Sequence, residues 1–266
     1  MVTTSLIQPR SSEKMDAIFN ALEDGWPEAK RNRRSSSQYI IWGVIGNNAE
    51  IIRSGMPYWF IDAPYHGRWK PGTVDWDPTY WRICKQGLHN NQRLDVTSER
   101  FSTGGIDLKE MRSGDHILIC PSSQTMTMLT HGCSVEEWVA RVKKTLAFYT
   151  NRPIKVRHKP RKNGTSGPAI ADVSIEEELK DCHAVVTSVS LTAIDALKNG
   201  VQVFSTSPHN PAGWCANTGF EEINKLTTFD RESLFANLAW KQYSVEEMRN
   251  GFAYENLSRL FNNQGF

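Results

Sequence analysis

A chain of 266 residues with 39% hydrophobic and 23% charged side chains is globular with a real core, sized for one large or two compact domains. Its 31 Lys and Arg against 29 Asp and Glu leave a net charge of +2, which excludes a global field committed to nucleic acid. Five cysteines with no C-x-x-C pair exclude a disulfide framework and structural zinc and point to a reducing, cytoplasmic compartment; no signal-peptide core opens the chain and no run is long enough to span a membrane.

In chain order, "SSEKMDAIFNALED" (residues 11–24) reads as a helix capped by Ser11 or Ser12 and stopped by Gly25. The polar stretch 27–37 reads as a loop and carries the basic cluster Lys30, Arg31, Arg33 and Arg34. "QYIIWGVIG" is a continuous apolar run ending in glycine, the pattern of a strand buried on both faces. "NNAEIIRSG" follows as a short helix with Asn47 or Asn48 at its cap, and "MPYWFID" is a second buried strand. Residues 63–112 are aromatic and broken by Gly and Pro, with no readable period.

The same grammar restarts at "GDHILICPSS", a turn, a buried strand and a loop at its carboxyl end. "SVEEWVARVKKTLAFY" is an amphipathic helix with Ser134 and Glu137 at capping-box spacing. "PIKVRHK" is the next strand, "SIEEELKD" a helix, and "CHAVVTSVSLTAIDALKNGVQVF" a strand, turn, helix and strand. "RESLFANLAW" and "SVEEMRNGFAYENLSRLF" close the chain as helices. Such alternation means parallel sheets. The expected fold is α/β, two Rossmann-like doubly wound domains facing a cleft: residues 1–113 and 114–245, with 246–266 a terminal helix packing back on the first domain.

Ligands of an open parallel sheet bind beyond the carboxyl ends of its strands. There the chain places Thr187, Ser188, Ser190 and Thr192, at the start of the helix that Leu191 opens. A helix amino terminus with hydroxyls around it suits phosphate; equally, Ser190 serves as an ordinary helix cap and nothing binds. Arg157 and Lys159, with period-two spacing at the end of "IKVRHKP", and Ser122 and Ser123 at a third strand end add cations and donors, so a diphosphate site without metal is expected in the second half.

The arrangement "IKVRHKP … LKDCHAVVTSVSLTAIDALKNGVQVFS … FEEI … RESLFANLAWKQYSVEEMRNG" resembles glycosyltransferases of the two-Rossmann, GT-B fold. It looks most like the compact phage-encoded group that decorates hydroxymethyluracil or hydroxymethylcytosine in viral DNA, with "YWFIDAPYHGRW" and "GDHILICPSS" in similar order over roughly residues 39–251. One departure is Gln202, where such enzymes carry proline; it reads as a surface-loop difference. The resemblance implies a UDP-sugar donor, DNA with a modified pyrimidine as acceptor, no divalent metal, no membrane, a monomer or an oligomer of unknown order, and a Glu221 or Glu222 carboxylate on the ribose hydroxyls. Charge pairs at a helix start, however, are usually solvated. Arg157, Lys159 and the Leu191 terminus would meet the leaving diphosphate. Asp62 is the candidate base, or else a turn residue before Pro64; His66 and Asp195 are fallbacks. Lys30, Arg31, Arg33, Arg34, Asn47, Tyr65, Arg68 and Trp69 are expected on the acceptor side, and Trp59, Trp76 and Trp81 either stack a flipped base or fill the core.

Other readings are weaker. "DWDP" (Asp75, Asp77) matches the Asp-x-Asp metal signature of single-domain glycosyltransferases but lies outside the half with the phosphate features, and reads as a surface turn. No G-x-G-x-x-G or G-x-x-x-x-G-K-[ST] loop follows a strand, against an oxidoreductase or an NTPase. Cys133 and His131 in "HGCSVEE" lack an oxyanion feature, so a nucleophile there is not expected. A glycosyltransferase of a cell-surface glycan and a non-catalytic nucleotide-binding module are the alternatives.

Overall fold

The computed structural model describes residues 3–31, 36–70, 72–159 and 173–262. Arg33 and Arg34 and the loop from Lys162 to Gly167 lie outside the described residues. The chain forms two units, one holding the chain through Asn90, Leu94–Arg100 and everything from Ala236, the other Asn91–Arg93 and Phe101–Phe235. These limits differ from the sequence boundaries at 113/114 and 245/246. Lys109 N and Arg112 N donate to Lys198 O (3.0 Å) and Gly200 O (2.9 Å), which ties the stretch before Gly114 to the second unit.

The first unit opens with β1 (Thr4–Ile7), which no apolar run announces because Thr4 and Ser5 are buried as fully as Leu6. Helix α1 (Glu13–Gly25) follows, capped by Ser12, whose hydroxyl accepts from Met15 N at 3.4 Å. It buries Met15, Ile18, Phe19 and Leu22. Within the expected loop lies a three-residue edge strand, β2 (Ala29–Arg31). Then come β3 (Gln38–Trp42), α2 (Asn48–Arg53) and β4 (Tyr58–Asp62), as read from the sequence. The unreadable stretch contributes β5 (Tyr80–Lys85) and α3 (Glu99–Thr103).

The second unit runs β6 (His116–Cys120), α4 (Gln124–His131), α5 (Val135–Leu146), β7 (Ile154–Val156), α6 (Ile175–Glu178), β8 (Cys182–Thr187), α7 (Thr192–Lys198), β9 (Gln202–Ser205), β10 (Ala216–Asn217) and the first half of α8 (Arg231–Ala239), which passes into the first unit at Ala236. Both halves of the Ser134–Glu137 capping box at α5 are formed. Helix α4 is an addition to the sequence reading, capped by Ser123 and closed by Gly132 in the left-handed region. Ile117, Ile119, Trp138, Leu146, Val186 and Phe204 belong to the core between this sheet and its helices.

The chain then returns to the first unit as β11 (Gln242–Ser244), α9 (Val245–Arg249) and α10 (Phe252–Asn262). The single closing helix of the sequence reading is two, broken at Asn250 and at Gly251, whose φ of 86° only glycine adopts without strain. Gly25 is needed for a different reason: a Cβ there would collide with the carbonyl oxygens of Met248 and Arg249.

The sheet orders are β11-β5-β4-β3-β1-β2 and β10-β9-β8-β6-β7. Every pairing is parallel except those of β5, which runs antiparallel to both β4 and β11. In each sheet the order reverses once along the parallel strands. In the first unit β1 lies between β2 and β3; in the second β6 lies between β7 and β8. The crevices between β1 and β3 and between β6 and β8 are thus the switch points where such sheets take ligands.

Gln202 is not on a surface loop. It is fully buried at the start of β9, where its Nε2 donates to Lys225 O (2.9 Å) and its Oε1 accepts from Thr227 N (3.1 Å). The polar side chain is there because two backbone groups of the following loop need partners.

Candidate functional site at the carboxyl ends of β6 and β8

At the switch point of the second unit the two strand ends are joined by side chains. Thr187 Oγ1 donates to Cys120 O at 2.6 Å, and Ser122 Oγ accepts from Val189 N at 3.3 Å. Ser123 turns away to cap α4 through Met126 N. Ser188, 1% exposed, has its Oγ 2.7 Å from His131 Nε2 at the end of α4. Asn210, from the loop after β9, donates to Ser188 O at 2.6 Å. Ser190 Oγ accepts from Thr192 N at 3.3 Å and lies 3.0 Å from Thr192 Oγ1, so one hydroxyl pair serves the start of α7 while Leu191 provides no side-chain cap.

His131 is held below its ordinary 6.5 by burial first and by Arg141 second, so near pH 7 its ring is neutral beside Ser188. The arrangement is a rigid polar floor: hydroxyls and an imidazole fixed by strand-end geometry, with no net charge of their own. Asn210 is the residue that sequence reasoning missed, and His131 enters that reading only as a partner for Cys133. Asn210 lies in a Pro-rich loop and His131 ends α4 before Gly132, and only the sheet order brings them to Ser188.

The cations are placed differently. Arg157 N still follows β6 through Ile119 O (2.9 Å), but its guanidinium is committed to the Glu178 carboxylate (2.7 Å) and Val173 O (2.9 Å). Lys159 is exposed. Glu222 pairs with Lys225 at 2.5 Å with both side chains more than half exposed, the solvated arrangement weighed for it, and Glu221 accepts from Tyr149 OH at 3.5 Å. Asp195 sits in the first turn of α7.

In the first unit Asp62 ends β4. Its Oδ1 accepts from Ala63 N (2.7 Å) and its Oδ2 pairs with Arg82 (3.1 Å), a guanidinium almost wholly buried that also donates to Ala63 O and Leu88 O. Gln242 clamps the next turn: its Oε1 accepts from Tyr65 N (2.9 Å) and His66 N (3.3 Å), which leaves its Nε2 to donate to His66 Nδ1 at 3.3 Å. A His66 Nδ1 that accepts this bond carries the ring's proton on Nε2, an atom that is itself buried. Tyr65 is buried, with its OH accepting from Asn90 N at 3.1 Å.

Among the acceptor-side expectations, Arg31 is tied to Glu23 (3.2 Å) and Lys30 is exposed on the edge strand β2. Asn47 is exposed and makes no side-chain cap; its neighbour Asn48 is buried and donates to Trp42 O (2.9 Å) and Gly43 O (3.1 Å). Arg68 is exposed and Trp69 half-buried. Trp59 is core. Asp77 of "DWDP" gives both oxygens to Arg249 at 2.7 Å, and Asp75 Oδ1 accepts from Asp77 N, so the pair forms a turn latched to α9. Among the described residues no three His, Cys, Asp or Glu gather as metal ligands.

No family model matches the chain, and no curated protein matches it. Solved structures do. A Thermosulfurimonas dismutans chain described as KpsC, beta Kdo 2,4 transferase, is 12% identical with a TM-score of 0.51, covering 91% of this chain and 92% of that one. A second, described as KpsC, beta Kdo 2,7 transferase, is 13% identical with a TM-score of 0.49, covering 97% and 100%. The likeness to the first is one of fold: α/β, GT-B-like, with two parallel-dominated sheets. No helix of the described residues is long and apolar enough to cross a membrane.

Proposed function

We propose that the protein is a glycosyltransferase that binds a nucleotide sugar at the carboxyl ends of β6 and β8 and transfers its sugar to a hydroxyl of a saccharide. The observation that carries this reading is the Ser188–His131–Asn210 floor at the switch point of a GT-B-like fold. In transfer, the bond between the anomeric carbon and the leaving phosphate oxygen breaks as the acceptor oxygen bonds to that carbon. Its proton passes to a base. The Ser122, Ser188 and Ser190 hydroxyls and the N–H groups at the start of α7 supply donors to the leaving phosphate, with Lys159 as the proposed cation. Asp62 remains the proposed base, oriented by Arg82, with His66 behind it.

A saccharide acceptor is preferred to DNA because the chains similar in fold are Kdo transferases. The hydroxymethylpyrimidine acceptor is the alternative, and steep loss of acceptor binding with salt would favour it.

The test is calorimetric titration of the full chain with UDP, and with CMP and GDP beside it, in the absence and presence of manganese. Micromolar binding of one nucleotide, weakened about tenfold by Ser188→Ala, is the expected result. No binding by any nucleotide under either condition overturns the reading. Asp62→Asn separates roles: a base loses turnover by about 100-fold or more with nucleotide affinity intact, whereas a purely structural Asp62 loses stability and leaves turnover per folded molecule unchanged.

A further inference from the structure

The first unit's sheet has its own switch point, between β1 and β3, and what stands there is aromatic. Trp42 is the last residue of β3. It packs on Trp81 of β5 with ring centroids 4.8 Å apart; Trp81 stacks on Trp69 at 4.2 Å and 29°; Trp69 meets Trp76 edge-on at 6.4 Å. Lys14, in the first turn of the helix that follows β1, holds its Nζ 4.8 Å from the Trp69 centroid and 5.5 Å from those of Trp42 and Trp81. On either side of Trp69, Arg68 and Lys70 are exposed.

Core packing accounts for Trp42 and Trp81, which are 5% and 0% exposed. Trp69 and Trp76 pack against that pair but stay partly exposed, at the end of the sheet where ligands bind. A partly exposed indole offers an apolar surface for a ring to lie on. Lys14 against the rings, with Arg68 and Lys70 exposed beside Trp69 in the chain, sets the sign of what lies there.

We infer that Trp69 and Trp76, with Lys14, Arg68 and Lys70, form an acceptor subsite for an acidic saccharide, its pyranose ring laid on the indoles and its carboxylate met by the cations. The inference rests on the glycosyltransferase reading and adds the chemical class of the acceptor. Nucleic acid also combines rings with anions, but following a phosphate backbone takes a run of cations. The first unit carries 15 Lys and Arg against 14 Asp and Glu, no surplus for a polyanion, whereas a single carboxylated ring needs one or two cations.

Intrinsic tryptophan fluorescence of the full chain, titrated with a hyaluronan tetrasaccharide, its carboxyl-reduced form and a short single-stranded oligothymidylate, tests this. The acidic tetrasaccharide is expected to bind about fivefold or more tighter than the reduced one. Arg68→Gln with Lys70→Gln, at exposed positions that leave the fold intact, removes that preference, and Trp69→Ala abolishes binding while UDP, CMP and GDP titrations stay as in the unmodified chain. Those nucleotide titrations distinguish a failed subsite from a failed glycosyltransferase reading. No saccharide binding, equal binding of the two saccharides, variants that bind like the unmodified chain, or tighter and salt-sensitive binding of the oligothymidylate would each overturn the inference.

Discussion

His131 Nε2 and Ser188 Oγ lie 2.7 Å apart, joining the end of α4 to the end of β8, the central strand of the second sheet. The bond fixes the Ser188 hydroxyl in one direction. Replacing His131 by Asn shortens the partner and frees that hydroxyl, and nucleotide affinity is expected to fall about tenfold, or roughly 1.4 kcal/mol. Calorimetry on the variant, beside a thermal melt, checks it. Unchanged affinity in a folded variant would mean that the pair is only a strut.

Stability is expected to rise with pH between about 7 and 9, and Lys241 is the cause. This lysine is fully buried, its Nζ donates to Asn90 O at 3.1 Å, and burial pulls it from 10.5 down to about 7. Between those values the unfolded chain holds a proton that the folded chain does not, so raising pH favours folding by at most about 1.4 kcal/mol per pH unit. Above pH 9 the trend is opposed, because burial raises the thiols of Cys84, Cys120, Cys182 and Cys215 and the unfolded chain loses those protons first. Urea unfolding at pH 7, 8 and 9 should show the rise in the unmodified chain and lose it in Lys241→Met. A flat profile in both would show that Lys241 keeps its proton.

The Asp77–Arg249 pair predicts a small effect on stability and none on metal use. Arg249 holds Asp77 below its ordinary 3.8, so the pair's contribution is present above that value and disappears as pH falls through the lowered one. Both side chains are substantially exposed, 48% and 39%, and solvent screening leaves the pair worth about 0.5 kcal/mol. Asp77→Asn should therefore shift the urea midpoint only slightly near pH 7. Transfer that requires manganese and is abolished in both Asp75→Ala and Asp77→Asn would instead make "DWDP" a metal site.

What the sequence disclosed depended on how locally each feature is determined. Strands buried on both faces, β3, β4, β6 and β8, are visible because their apolar runs are set by burial alone. The caps at Ser12 and Ser134 are visible because a capping side chain and its N–H lie three residues apart. β1 and β2 escape because short strands carrying Thr, Ser, Lys and Arg look like loops until a sheet forms beside them. β11 escapes because it joins a sheet whose other strands end some 150 residues earlier, at Lys85. The candidate site divides in the same way: Ser122 and Ser188 announce themselves at strand ends, while His131, Asn210 and Gln242 are assigned by tertiary contact. Arg157 was legible as a strand-end cation; its commitment to Glu178 was not.

Gln202 gives the sharpest test of that distinction, since sequence comparison by type makes it an odd substitution for proline and the structure makes it a hub. Its amide serves Lys225 O and Thr227 N, and its Nε2 also lies 3.0 Å from His183 Nε2, a buried ring that contacts Ser113 Oγ and Ile223 O. Gln202→Leu keeps approximate volume and strips both loop partners, leaving a part-buried carbonyl and a part-buried N–H to find water, at up to about 1 kcal/mol each. Gln202→Glu keeps the acceptor for Thr227 N but turns a carboxylate oxygen toward Lys225 O, so it should also destabilise. Gln202→Pro loses the same side-chain bonds together with a backbone N–H. Urea midpoints should therefore fall for all three, with the loop at 219–228 losing hydrogen-exchange protection before the sheet does. If Gln202→Pro were as stable as the unmodified chain, the network would be dispensable and the residue as peripheral as its position in the sequence suggests.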